Sequence, residues 1–177
     1  MTTQTDNAPA KKIFRTKPLP DGTTATNPHV MLATWFNIGR LRPAPGTLGT
    51  MGAVPFGYAI AYFSGITGLI LAAVLLLILG TMAATYYGRK SGEKDDQSIV
   101  VDEVVGMWIA AIPAGTHPDL WVTAFLLFRL FDIYKPWPAS FFDKRAGSGF
   151  DVMMDDVIAG FYAMLGVAAG AAALSLY

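Results

Sequence analysis

Between Ile66 and Tyr87 the chain runs for about 22 residues without a charge, and roughly 20 apolar residues suffice for a helix to cross the ~30 Å hydrocarbon layer of a bilayer. No other feature constrains the fold as strongly. A soluble domain would have to bury that run on all sides, and the rest of the chain offers little polar surface to do it with. Of its 177 residues, 53% are hydrophobic and only 15% are charged. The expected class is therefore an all-α, polytopic membrane helical bundle, because only segments that satisfy their own backbone hydrogen bonds can span lipid. Zero net charge and the lack of a basic run argue against nucleic acid as a partner. With no cysteine, thiolate metal sites, disulfides and cysteine nucleophiles are excluded.

Around that span the apolar runs are shorter. Residues 1–27 are polar, lack the apolar core of a signal peptide, and read as a disordered tail preceding a membrane-embedded domain over 28–177. Pro28 to Gly39 reads as a short amphipathic interfacial helix. Ala53 to Phe63 is apolar and is broken by Ser64-Gly65. Val157 to Tyr177 is the last apolar helix. The segments Ala53–Phe63 and Asp102–Ala114 are short for a full crossing and are expected to be half-crossings, re-entrant, or tilted helices extended into the loops. Laid alternately across a bilayer, the runs put the turns at Ser64–Gly68 and Gly115–Asp119 on one side. All thirteen Lys and Arg fall on the other, which the positive-inside rule makes the cytoplasm.

The acids cluster on that same side. Asp102-Glu103 is a carboxylate pair inside the apolar run Ser98–Trp108, costly to desolvate unless compensated. The N-terminal turn of a helix welcomes negative charge, which accounts for one member of the pair better than for both. Phe128 to Pro138 brings Arg129, Asp132 and Lys135 at steps of three, so Arg129 and Asp132 share a helix face, and Pro136 ends the helix. Asp151, Asp155 and Asp156 open the last helix. Three separate segments thus carry acids and cations to one membrane–water boundary. Glu93, Asp95 and Asp96, within the charged stretch Gly88–Gln97, read instead as solvated loop charges.

Arg40 to Gly52 (RLRPAPGTLGTMG) places glycines at 46, 49 and 52 around Thr47 and Thr50. A helix starting near Gly46 would offer free N–H groups, hydroxyls and nearby arginines to an anion. Close helix packing explains the same glycines equally well, and no Gly-Lys-Ser/Thr follows to make a Walker A loop.

Clustered carboxylates without cysteine or a usable histidine suit a hard cation such as Mg²⁺. Ringed by Arg, Lys and hydroxyls, such a centre suits phosphoryl chemistry on a lipid headgroup, with attack on phosphorus by a carboxylate or by an activated water both open. A histidine-dependent lipid phosphatase would need two suitably placed histidines, and neither His29 nor His117 lies in the acid clusters. The nucleophile signature of haloacid-dehalogenase-like enzymes and that of CDP-alcohol phosphotransferases are both missing. A cation-coordinating transporter is disfavoured because the acids gather at one face rather than at the midplane. A non-catalytic lipid-binding protein remains the third reading.

Four stretches in order, Ala44–Thr50 (APGTLGT), Ile99–Gly106 (IVVDEVVG), Phe128–Pro138 (FRLFDIYKPWP) and Asp155–Gly160 (DDVIAG), resemble the motifs of the phosphatidylglycerophosphatase A family. The Arg-x-x-Asp-x-x-Lys-Pro motif is the most specific, and the resemblance covers roughly Thr34 to Tyr177. It implies a Mg²⁺-dependent, multi-pass enzyme of the bacterial inner membrane that hydrolyses phosphatidylglycerophosphate to phosphatidylglycerol and phosphate, the last step in making that lipid. By position, Asp102, Glu103, Asp132 and Asp156 match the family's acidic motif residues, with Asp155 beside them. The expected metal and catalytic shell is these five. The expected phosphate-binding groups are Arg129 and Lys135, joined by Arg40, Thr47, Thr50 and Arg145.

Overall fold

The computed structural model describes residues 15–93, 95–145 and 147–174. In order these form β1 (Arg15–Thr16), α1 (Pro28–Ala33), β2 (Leu41–Arg42), α2 (Pro45–Ser91), α3 (Val101–Ala110), α4 (Pro118–Tyr134), α5 (Ala139–Arg145) and α6 (Gly149–Leu174). Apart from the two-residue strands, which pair antiparallel, the protein is all-α.

α2 is two helices joined at Gly65, which takes a backbone (φ 67°, ψ −173°) open essentially to glycine alone. Straight, the helix would place Gly49 and Gly80 roughly 46 Å apart at ~1.5 Å per residue. Yet Gly49 packs on Val100 and Gly80 on Val101, neighbours at the start of α3. The chain therefore folds back at Gly65 into a hairpin of two long arms. Their sequence shows why they sit in lipid. On the second arm Leu69, Ala73, Leu76, Gly80 and Ala83 face inward and are buried, while Leu71, Leu75, Ile78 and Met82 face outward and are exposed. Small residues inside and large apolar ones outside is the membrane arrangement, and an exposed apolar band of this extent is foreign to a soluble monomer. Helices α2 and α6 both have the length and composition of membrane spans.

α3 is the centre of the bundle. All of its residues are buried except Glu103, which is half-buried. Its ten residues rise only ~15 Å, and a 3₁₀ turn (Ile112–Ala114) and the Gly115 bend lead into α4, which returns the chain. The α3–α6 crossing fixes the site. A Cβ on Gly160 would lie 2.5 Å from the Gly106 carbonyl oxygen and 3.0 Å from Gly106 Cα. The two backbones touch there, one turn away from Asp102, Glu103 and Asp156.

Local expectations change at several points. Residues 15–27, assigned to a disordered tail, are laid against the domain: Arg15 pairs with Arg42, and Lys17 Nζ lies 2.9 Å from Glu93 and 3.0 Å from Asp96. Residues 1–14 lie outside the described residues. The segment from Pro28 is a six-residue helix capped by Asn27, with Val30 and Ala33 fully buried against the domain. Residues 139–145 form α5. Asp96 is not a solvated charge either. It is 1% exposed, accepts the Ser98 N–H at 2.8 Å and pairs with Lys17.

Candidate active site

The termini of four helices meet at the end of the bundle opposite Gly65 and Gly115. They enclose a cleft of about 400 Å³, within the range of small-ligand sites. α3 supplies Asp102 and Glu103 from its first turn. α6 supplies Asp155 and Asp156, α4 supplies Arg129, Asp132 and Lys135, and the N-terminus of α2 supplies Gly46 and Thr47.

Asp102, Glu103 and Asp156 each bring one carboxylate oxygen within 4.8 Å of the other two. The adjacent acids are pinned by backbone: the Glu103 N–H donates to Asp102 Oδ1 and the Asp156 N–H to Asp155 Oδ1, each at 3.0 Å. Glu103 Oε2 is buried without a hydrogen-bond partner among the described residues. Three converging carboxylates, one oxygen of them orphaned, form the all-oxygen donor set that a hard divalent cation requires. These residues fit Mg²⁺.

The cations are held rather than free. Arg129 pairs with Asp132 one turn on, and its Nη1 also donates to Thr50 Oγ1 at 3.5 Å. A Cβ on Gly46 would collide with Glu103 Oε1 and sit 3.3 Å from Arg129 Nη1, so glycine is what lets the α2 N-terminus close on this pair. Lys135 caps α4 in the left-handed conformation (φ 47°) and turns its ammonium onto Asp155 Oδ2 at 2.7 Å and onto Asp143 of α5. Burial alone would lower the Lys135 pKa. The facing carboxylates outweigh it and hold the pKa above the ordinary lysine value, so Lys135 stays charged. At the rim, desolvation raises the Asp95 carboxyl above its ordinary range against the pull of Lys135.

The structure brings Asp102, Glu103, Asp132, Asp155, Asp156, Arg129, Lys135 and Thr47 to the cleft wall. Thr50 lies behind it, fully buried, with its hydroxyl donating to Gly46 O at 2.8 Å while it holds Arg129. Two expected phosphate ligands are elsewhere. Arg40 spends its guanidinium on Lys17 O (3.0 Å) and Asn37 Oδ1 (2.9 Å), tying down the N-terminal strand. Arg145 stands 3.4 Å from Asp151 at the start of α6. Asp151 itself exchanges hydrogen bonds with Ser148 (3.0 and 3.2 Å), a capping box that accounts for this acid without chemistry. Sequence reasoning missed Asp95, Gln97 and Pro43–Pro45 as cleft lining. It missed Asp143 as partner of Lys135, since position along the chain does not forecast which way a side chain turns.

The family model for phosphatidylglycerophosphatase A matches residues 31–171. Phosphatidylglycerophosphatase A of Haemophilus influenzae is 37% identical over 164 residues, 91% of this chain and 93% of that protein. The Escherichia coli protein of the same name is 35% identical over 136 residues, covering 76% and 78%. A Bacteroides thetaiotaomicron protein provisionally named a phosphatidylinositol-3-phosphatase is 35% identical over 146 residues, covering 78% and 91%. No solved structure matches the chain. The chain is thus a membrane-embedded phosphatase. It belongs to the phosphatidylglycerophosphatase A family.

Proposed function

We propose that this protein hydrolyses phosphatidylglycerophosphate to phosphatidylglycerol and phosphate in the bacterial inner membrane, with Mg²⁺ as cofactor and its cleft open to the cytoplasm. The observation that carries the reading is the Asp102–Glu103–Asp156 cluster, with its orphaned Glu103 oxygen, set beside Arg129 and a helix N-terminus. Six carboxylates face two cations in this cleft, a deficit of positive charge that a divalent ion reduces. A permanently anionic site without one would repel the phosphate it must bind.

The reaction breaks the bond between phosphorus and the terminal glycerol oxygen. A water oxygen ends on phosphate, and its proton ends on the released hydroxyl. Asp102, Glu103 and Asp156 would hold the metal. When bound, Mg²⁺ supplies Lewis acidity that neutralises phosphate charge. Arg129 faces the non-bridging oxygens in a planar, fork-shaped geometry suited to phosphate, locked by Asp132 and Thr50 so that little reorganisation accompanies charge development. The free N–H groups at the start of α2 and the Thr47 hydroxyl add donors beside it. Lys135, fixed between Asp143 and Asp155, sets the potential at the cleft mouth. The positive side of the bundle carries the cleft, which supports the cytoplasmic orientation.

The test is phosphate release by purified protein in detergent from phosphatidylglycerophosphate, with and without Mg²⁺. Release that requires the metal and is abolished by EDTA is expected. Full turnover in excess EDTA would remove the metal from the reading, and no release under any metal would remove the substrate.

A further inference from the structure

A second cavity, about 650 Å³, lies between α2 and α4 on the lipid-facing surface. Its walls are apolar: Met51, Val54 and Tyr58 on α2, Trp121, Val122 and Phe125 on α4. Helical register ties it to the phosphate cleft. On α2 the cleft residue Thr47 is followed at i+4 and i+7 by Met51 and Val54. On α4 the cleft residue Arg129 is preceded at i−4 and i−7 by Phe125 and Val122. Positions three, four and seven apart share a face, so both walls of the polar cleft continue directly as the walls of the apolar crevice. The Arg129–Thr50 contact bridges the two helices where one passes into the other. The far end is closed by Tyr58, stacked edge-on against Trp121 and bonded to Thr116 O at 3.2 Å. From Met51 to Tyr58 the crevice runs ~10 Å, about a third of the ~30 Å apolar layer.

We propose that this crevice seats an acyl chain of the lipid whose phosphate occupies the cleft. The proposal rests on the lipid-phosphate reading above and adds where the rest of that lipid lies. Lipid-facing apolar residues need no explanation in themselves. The stripe through Leu71, Leu75, Ile78 and Met82 is equally apolar and exposed, but it runs along the arm of α2 away from the cleft. Among the described residues, the α2–α4 crevice is at once concave, apolar and continuous with phosphate-binding groups. Its gain is not hydrophobic, because bulk lipid is as apolar as the crevice. It is orientation: a tail held in register delivers the headgroup to Arg129 at a fixed depth.

Two measurements test this. In the first, Val54→Trp and Val122→Trp fill the crevice from either wall, and Leu165→Trp on the exposed face of α6 is the control. Hydrolysis is compared for long-chain phosphatidylglycerophosphate and for a short-chain, water-soluble analogue. The filled variants should lose ~10-fold in kcat/KM on the long-chain lipid, the order expected for misfit in an apolar pocket, and should keep their rate on the short-chain analogue. Equal loss on both substrates, or loss on neither, overturns the proposal. In the second, long-chain phosphatidylglycerophosphate carrying a mid-chain diazirine is photolysed with the wild-type protein. Adducts on 51–58 and 118–125, competed by unlabelled phosphatidylglycerophosphate and not by phosphatidylcholine, support the seat even if turnover fails, which separates it from the catalytic reading. Equal labelling by a phosphatidylcholine probe means annular lipid only and overturns it.

Discussion

The Gly106–Gly160 crossing makes a remote substitution a test of the metal cluster. Gly160→Ala adds one methyl, which would lie 2.5 Å from Gly106 O and within 3.1 Å of two more backbone atoms. No side chain can swing aside. A carbon and a carbonyl oxygen approach no closer than ~3.3–3.6 Å, so the helices must part by about 1 Å at that point. One turn along, the same displacement separates Asp156 from Asp102 and Glu103. Mg²⁺ tolerates only ligands near ~2.1 Å in octahedral array, and misplacement by ~1 Å costs about 10²-fold in turnover. The expected result is a loss of that order in kcat, with half-saturation shifted to higher Mg²⁺, and a stability cost of about 1–3 kcal/mol from overpacking. Gly170→Ala serves as control, since its Cβ meets nothing within 4 Å among the described residues. The assay is phosphate release across a Mg²⁺ titration on detergent-purified, monodisperse protein. A folded Gly160→Ala protein within about threefold of wild type at every Mg²⁺ concentration would show that the crossing does not set the ligand spacing, well inside the expected loss.

Asp102→Asn, Glu103→Gln, Asp132→Asn and Asp156→Asn are each expected to cost at least ~10²-fold in turnover in the same assay, whereas Glu93→Gln, on an exposed loop side chain, should stay near wild type. Asp96→Asn removes a buried partner of Lys17 and should lower the thermal midpoint in detergent by the equivalent of about 1–3 kcal/mol, leaving the turnover of folded protein unchanged. Desolvation would lower the Lys17 pKa, but its bonds to Glu93 and Asp96 outweigh that and raise it above 10.5. The lysine's share of the stabilisation is therefore lost only as pH rises above 10.5 and through the higher folded value, so the gap between wild type and Asp96→Asn should shrink at alkaline pH. Tags in the Arg89–Lys94 segment and beside His117 should label from opposite sides of the membrane, the former cytoplasmic, in a permeability-controlled labelling experiment.

The apolar runs, the break at Gly65 and the charged ends of the helices were legible because each is local: a count of apolar residues, a helix breaker, a charge where a helix must stop. What was not legible depends on partners far along the chain. Residues 15–27 look too polar to order until Lys17 meets Glu93 and Asp96, more than seventy positions away. α3 resembles a truncated span because a helix buried in protein and one buried in lipid have the same composition, and only the packing of α2, α4 and α6 around it tells them apart. Arg40 and Arg145 are misplaced for a related reason. Proximity to a motif in sequence fixes the position of an arginine's Cα but not the direction of its long side chain. Asp151 and Asp155 lie one turn apart, and Ser148 makes one a cap while Lys135 makes the other a cleft residue.

The acid doublets have a geometric logic that capping alone does not supply. Successive residues on a helix point ~100° apart, which lets Asp155 and Asp156 face different groups. The structure uses both directions. Asp156 turns toward α3 and closes the carboxylate cluster, while Asp155 turns toward the end of α4 and holds Lys135. At the start of α3 the doublet is resolved by length instead. Asp102, the shorter, is pinned by the Glu103 N–H, while Glu103 reaches the space under Gly46 and Arg129. One helix end can thus serve both the cation-binding cluster and the phosphate-facing wall. A single acid at either position would leave one of these without its anchor.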